Sequence, residues 1–312
     1  MTAFAFVFPG QGSQAVGMLD AWGQHPAVLA VLEEASAALG QDVGRLIHEG
    51  PKEDLALTTN TQPVMLVAGI AAYRAWLTEG GAVPAAVAGH SLGEYTALVA
   101  SGVLTLAQAV PLVRLRAAAM QEAVPVGAGA MAAILGLDAN TVREVCAKTM
   151  AGSSEIAEAV NFNDPGQTVI AGTKAGVEQA CAALKEAGAK RALNLPVSAP
   201  FHSSLMRPAA LKLQAALADL TLGTPQIPVI NNIDVLVETD AAKIKDALYR
   251  QAFGPVRWVE CVQAIKARGI SHIVECGPGK VLAGMTKRID ADLQALTIFD
   301  PASLEQTRAD LA

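Results

Sequence analysis

Short apolar runs, each about one strand long, alternate with helix-length stretches along this chain, and that alternation limits its fold more than any other feature. Ala3 to Phe8 is the first run, stopped by Pro9-Gly10, and reads as a buried strand ending in a turn. Helical patterns follow at Ala27 to Leu39 and Val64 to Thr78. Pro84 to Gly89 is a second apolar run, followed by a helical stretch from Leu92 to Ser101 that ends at Gly102. Leu106 to Glu122 is an Ala- and Leu-rich helix with Pro111 early in it. Strand and helix in this order predict parallel strands joined by crossover helices.

The texture changes at Pro125-Val126-Gly127. A strand over Met131 to Leu137 precedes a helix over Ala139 to Met150. Strands over Ile156 to Phe162 and Gln167 to Gly172 are joined by the turn Asn163-Asp164-Pro165-Gly166. A helix over Lys174 to Ala187 and a strand over Arg191 to Leu195 complete the block. The order β-α-β-β-α-β is the ferredoxin-like arrangement, so a small domain is expected over 126–195. It would be inserted into a large domain made of 1–125 and 196–312. Beyond it we expect helices at Met206 to Leu220, Ala241 to Phe253 and Val259 to Ala267. Strands are expected at Pro228 to Asn231 and His272 to Cys276, the latter followed by the turn Gly277-Pro278-Gly279.

At 312 residues, 52% apolar and 17% charged, the chain has a globular composition and can bury a sizeable core. A net charge of −6 argues against a nucleic-acid binder, which needs a basic face. No uninterrupted apolar run is long enough to span a bilayer, so no membrane partner is expected. The first residues lack a basic region and a long apolar core, which predicts no signal peptide and a cytoplasmic protein. The four cysteines, Cys146, Cys181, Cys261 and Cys276, form no C-x-x-C pair. Reduced thiols are expected, with no disulfide and no bound metal.

Gly89-His90-Ser91-Leu92-Gly93 fits G-x-S-x-G, between an apolar run and a helix pattern. That strand-turn-helix context exposes a serine on a sharp turn, at a helix start where free N–H groups favour developing negative charge. Glycine on either side spares the turn two colliding Cβ atoms. A serine nucleophile needs a base. Of the five histidines, His25 and His48 lie in polar segments, His90 abuts the serine and His272 opens a strand. His202 lies in the loop Ser198-Ala199-Pro200-Phe201-His202 just after the small domain, where scaffold loops commonly carry catalytic groups. It is the candidate base; the competing reading makes it a cap for the helix near Met206. The oxyanion formed on attack needs two donors. The backbone N–H groups of Leu92 and of Gln11, in Gly10-Gln11-Gly12 at the end of the first strand, are the candidates.

Gly10-Gln11-Gly12-Ser13-Gln14-Ala15 also fits the dinucleotide fingerprint G-x-G-x-x-G/A. That fingerprint expects a second strand ending in an acidic residue about twenty positions on. Here the region is Val31-Leu32-Glu33-Glu34-Ala35-Ser36, which reads as helix, so no dinucleotide is expected. Gly277-Pro278-Gly279-Lys280 lacks the spacing and hydroxyl of a phosphate-binding loop.

Four separated motifs together carry a resemblance. Phe8-Pro9-Gly10-Gln11-Gly12-Ser13-Gln14, Gly89-His90-Ser91-Leu92-Gly93-Glu94-Tyr95, Asn161-Phe162-Asn163 and Gly277-Pro278-Gly279-Lys280-Val281-Leu282 resemble the malonyl-CoA:acyl carrier protein transacylases of type II fatty acid synthesis. The resemblance runs from about residue 3 to about residue 290, in order. It implies an α/β-hydrolase-like large domain with a parallel sheet core, a ferredoxin-like insert, and no cofactor. It implies ping-pong transfer of malonyl from malonyl-CoA to acyl carrier protein through an ester on Ser91, with His202 as base. It also implies that a backbone carbonyl, here that of Gln251, orients the histidine instead of an acid. Arg116 matches the family's substrate-binding arginine, whose planar fork suits a carboxylate. Gln62, Met120, Met131 and Asn161 resemble pocket residues, although the two methionines also suit a core. Phe201, before the histidine, accompanies malonyl over methylmalonyl in related acyltransferases. A monomer is expected, with the carrier docking on a basic patch drawn from Lys190, Arg191, Arg207, Lys280, Lys287 and Arg288.

Overall fold

A strand whose residues are all apolar can be stable only if both its faces are covered, and the first run meets that condition. In the computed structural model, residues 2–197 and 199–312 are described. Met1 and Ser198, the first residue of the loop leading to His202, lie outside the described residues. The strands in chain order are β1 (Phe4–Phe8), β2 (Ala86–Gly89), β3 (Gly129–Leu135), β4 (Ala157–Asp164), β5 (Gln167–Thr173), β6 (Arg191–Asn194), β7 (Val229–Ile230), β8 (His272–Cys276) and β9 (Gln294–Ile298). Five form a parallel sheet of order β7-β2-β1-β8-β9, and four form an antiparallel sheet of order β4-β5-β3-β6.

Strand β1 sits at the centre of the parallel sheet, with Phe6 opposite Val87 on one side and Val274 on the other. Its even-numbered side chains, Phe4, Phe6 and Phe8, enter the main core, where Phe6 meets Trp76 and Tyr73 edge-on. Ala5 and Val7 face the opposite side and join Ala86, Ala88 and Trp258 in a second core. The period of two along the strand therefore splits one apolar run between two cores. The antiparallel sheet has its own core under two helices, Ala139–Met150 and Lys174–Glu186, around Ile134, Val142, Ile170 and Val177.

Several elements depart from the sequence expectation. The helix expected from Val64 starts at Thr58 and carries Pro63 inside it. A proline there forfeits one backbone bond, and the burial of nearly the whole helix outweighs that loss. The turn between β4 and β5 is narrower than expected, because Asn163 and Asp164 stay in the strand. Strand β7 holds only Val229 and Ile230. Helices Val43–Glu49, Lys52–Ala56, Val281–Ile289 and Pro301–Leu311, and strand β9, were not foreseen. The last helix did have a local signal: Asp300 and Ser303 form a reciprocal cap around Pro301 at its first turn. Strand β9 is a half-exposed edge, so its apolar run is weak.

The two sheets meet where β4 ends. Val256 bonds to β4 through its N–H to Val160 O at 2.8 Å and its carbonyl from Phe162 N at 3.0 Å. Arg288 pairs with buried Asp164 at 2.6 Å, and Ser204 N donates to Glu158 at 2.7 Å. The cleft between the sheets opens beside β2.

Candidate active site

Strand β2 ends at Gly89 and the next helix, Gly93–Ala100, starts four residues later, so the chain must reverse inside Gly89-His90-Ser91-Leu92-Gly93. Ser91 takes φ 53°, in the left-handed region that side-chain-bearing residues avoid. The flanking glycines leave no choice. A Cβ on Gly89 would lie 1.9 Å from the backbone of Gly93, and one on Gly93 would lie 2.0 Å from Phe8 O. The strained turn is held by Asn232, whose Oδ1 accepts the Ser91 N–H at 2.7 Å and whose Nδ2 donates to Gly89 O at 2.8 Å.

Ser91 Oγ lies 2.6 Å from Nε2 of His202. The other ring nitrogen, Nδ1, is 2.8 Å from the carbonyl of Gln251. A carbonyl can only accept, so Nδ1 carries the proton and Nε2 is left to accept from the serine. His202 is itself at φ 67° and 4% exposed. Burial, followed by the nearby charge of Arg116, drives its pKa down to about 3. The ring is therefore neutral at ordinary pH. It does not cap the helix that begins at Arg207, which has no side-chain cap.

The other histidines have different partners. His25 caps helix Pro26–Leu39, His48 is exposed beside Asp20, and His272 bonds to Ser271. His90 turns away from the serine to Asn163 Oδ1 at 2.9 Å, though its ring still lines the cleft.

Arg116 is 2% exposed, and its fork is spread over three acceptors. Nη1 donates to Gln62 Oε1 at 2.8 Å, while Nη2 reaches Gln251 Oε1 at 3.1 Å and Ser91 Oγ at 3.2 Å. The chain of contacts continues from Gln62 to Thr58 Oγ1 at 3.4 Å, and from Thr58 to Gln11 Oε1 at 2.9 Å. Arg114, two positions along, faces away and bonds Gln41.

These groups open on a cleft of about 300 Å³. Gln11, Gln62, Ser91, Leu92, Arg116, Met131, Asn161, Phe201 and His202 all line it. Met120 does not; it is buried in the main core. The side chain of Gln251 lies behind Arg116 and is fully buried. Of the basic candidates for a docking patch, Arg288 is paired to Asp164, while Arg207 and Lys280 stack over Phe253 and Phe299.

Three buried polar residues of the site were not foreseen: Glu94, Asn232 and Asn163. Each bonds a partner remote in sequence: Glu94 meets Asn232 and Gln251, Asn232 meets Ser91, and Asn163 meets His90. For Glu94 the signals were its place in the motif around Ser91 and a carboxylate inside an apolar stretch.

The acyl transferase domain family matches residues 5–294 of the chain. The malonyl CoA-acyl carrier protein transacylase of Salmonella typhimurium is 54% identical over 305 residues, covering 97% of this chain and 98% of its own. This chain belongs to the malonyl CoA-acyl carrier protein transacylase family. It is an acyltransferase. The transacylase of Bacillus subtilis is 45% identical over 306 residues, covering 98% of this chain and 96% of its own. Among solved structures, an acyl-carrier-protein S-malonyltransferase from Burkholderia pseudomallei superposes with a TM-score of 0.97 at 64% identity, covering 99% of this chain and 100% of that one. A malonyl-transacylase in complex with its type II PKS acyl-carrier protein superposes with a TM-score of 0.96 at 49% identity, covering 99% of this chain and 100% of that one. The mixed α/β architecture, with one parallel and one antiparallel sheet, is that of these relatives.

Proposed function

We propose that this chain moves a malonyl group from malonyl-CoA to the phosphopantetheine thiol of acyl carrier protein, through an ester on Ser91. One observation carries the reading: a neutral imidazole and a buried guanidinium converge within 3.2 Å of one hydroxyl oxygen, Ser91 Oγ. The imidazole makes the hydroxyl a nucleophile, and the guanidinium is placed to hold the carboxylate that sets malonyl apart from acetyl.

In the first half-reaction His202 Nε2 takes the Ser91 proton while Oγ attacks the thioester carbonyl. The N–H groups of Leu92 and Gln11 hold the resulting oxyanion. Collapse expels the CoA thiolate, which takes the proton back from His202. In the second half the carrier's thiol loses its proton to His202 and attacks the ester, and Ser91 is reprotonated as it leaves. Gln251 O keeps the imidazole in the right tautomer throughout and steadies its positive form. Phe201, on the cleft wall, crowds the space a methyl branch on the acyl group would need.

The finer reading of the fold belongs to the same proposal. Residues 1–125 and 196–312 form an α/β-hydrolase-like domain, and 126–195 a ferredoxin-like insert. The order β4-β5-β3-β6 with its two helices supports the second of these. The protein works in the cytoplasm as a monomer.

Intact-protein mass spectrometry after mixing with malonyl-, methylmalonyl- and acetyl-CoA tests the reading. One malonyl adduct should appear, and it should vanish when carrier protein bearing the free thiol is added. Loss of the adduct to water as fast as to carrier would instead make the chain a hydrolase.

The buried imidazole also sets the pH response. Because its pKa lies below 6.5 in the folded chain, the base stays unprotonated as pH falls from 6.5 toward 3. Acylation of Ser91 should hold within about twofold from pH 8 to 5.5, where an imidazole of ordinary pKa, about 6.5, would lose about nine-tenths of its rate. Single-turnover labelling at each pH measures this; a midpoint near 6.5 would contradict it. Folding stability follows with the same sign. The benefit of a neutral His202 is complete above 6.5 and is lost as pH falls toward 3, because the unfolded imidazole binds a proton the folded one refuses.

A further inference from the structure

Glu94 lies on the first turn of the helix behind the nucleophile, 2% exposed. Its Oε2 accepts two hydrogen bonds, from Asn232 N and from Gln251 Nε2, both at 2.9 Å. Each partner leads straight to the reacting groups. Asn232 clamps the strained turn at Ser91, as described above. Gln251 does three things at once. Its backbone carbonyl accepts from His202, its Nε2 also donates to Ser91 O at 3.0 Å, and its Oε1 accepts from Arg116 Nη2 at 3.1 Å.

A glutamine amide has a donor end and an acceptor end of nearly the same shape. Only one of its two orientations turns Oε1 toward the guanidinium. Flipped, Nε2 would face Arg116, donor against donor, and Oε1 would face the Glu94 carboxylate, acceptor against acceptor. In a buried site such mismatches are costly. Resting on the malonyl-transfer reading, we propose that Glu94 is a positioning residue for acyl-group selection: by fixing the Gln251 amide it keeps the Arg116 fork aimed beside Ser91 Oγ, where the carboxylate of the incoming acyl group sits. Glu94 does not touch the substrate; it acts through Gln251. A role in packing alone does not explain the residue, since burial pushes its carboxyl up to about 7 and an apolar side chain would fill the space without that penalty.

The role needs the acceptor, not the charge, and two conservative variants separate these. Glu94→Gln can keep an oxygen where Oε2 stands, and residue 94 lines a small cavity together with Asn231 and Glu238. Glu94→Asp keeps the charge but withdraws the acceptor by one carbon–carbon bond, about 1.5 Å. The full-length chain is acylated with malonyl-CoA and with acetyl-CoA, and the ratio of the two rate constants is read by intact mass. Glu94→Gln should stay within about threefold of the wild-type ratio, and Glu94→Asp should lower it by roughly tenfold. Gln251→Met cuts the same link from the other side and should lower the ratio similarly. The double variant Glu94→Asp with Gln251→Met should fall no further than the larger single effect, because one path is being cut twice.

An unchanged ratio in Glu94→Asp, or losses that multiply in the double variant, would overturn the proposal. Should Glu94→Asp not fold, an unchanged ratio in Gln251→Met overturns it equally. The underlying reading fails separately, if the wild-type chain takes no adduct from malonyl-CoA.

Discussion

Replacing Ser91 with alanine is expected to abolish the malonyl adduct on the protein and to reduce transfer to carrier by at least about 10⁴-fold, the range seen when a serine nucleophile is removed from a triad-type site. The physical reason is that the reaction is split in two by a covalent ester, and among the described residues the imidazole of His202 is hydrogen-bonded to no other hydroxyl. Binding should survive, because Arg116, the N–H groups of Leu92 and Gln11 and the walls of the cleft all remain. Alanine at φ 53° is no less strained than serine, so thermal stability should change little. Intact mass with labelled malonyl-CoA is the decisive measurement. An adduct that still accumulates on the Ser91→Ala chain would show that another residue is acylated, and the assignments of His202 and the oxyanion donors would fall with it.

Arg116→Ala carries the second large effect. The guanidinium is buried and already pointed at Ser91 Oγ, with Gln62 and Gln251 holding its fork in place. Without it, a malonyl carboxylate would enter a water-poor site with no counter-charge. Leaving a buried charge unpaired costs about 3–5 kcal/mol, so malonyl transfer should drop by roughly 10² to 10⁴-fold. Acetyl carries no charge and should lose little or gain, which collapses the preference between the two. Lysine should restore only part of the rate, because it offers a point charge where the fork made parallel bonds.

A second readout comes from His202. Arg116 is one of the causes that hold its pKa down, so removing the cation should move the acid limit of acylation upward toward 6.5. Unchanged malonyl kinetics in Arg116→Ala would take this residue out of the site altogether.

The chain of Gln11, Thr58, Gln62, Arg116 and Gln251 explains why a single cation suffices. Burial lowers the pKa of Arg116 as well as that of His202, yet no acid faces the guanidinium at bonding distance among the described residues. Its Nη atoms donate only to neutral oxygens, the amides of Gln62 and Gln251 and the hydroxyl of Ser91, which a carboxylate can replace without first breaking an ion pair. An acidic partner would have bound the fork more strongly and left it less available.

Much of this was legible in the residues. Five-residue apolar runs, strict punctuation by Gly and Pro, and helix stretches such as Leu106–Glu122 and Ala241–Phe253 determined the elements, because these signals are local and depend on periods of two and 3.6 residues. The turn around Ser91 was equally readable, since two glycines are needed wherever backbone meets backbone at about 2 Å if a Cβ is added. What only the tertiary structure decided was convergence. Ser91, Arg116, His202, Asn232 and Gln251 come from separate segments, and nothing in their neighbours says that the other four will meet at Ser91, two of them on Oγ and one each on its backbone N–H and carbonyl. Burial decided the rest: Met120 went to the core, the Glu94 carboxyl was pushed up to about 7, and the pKa of His202 fell to about 3. Those outcomes depend on how much water each group loses when distant elements close over it, a quantity set by packing and absent from any local stretch of sequence.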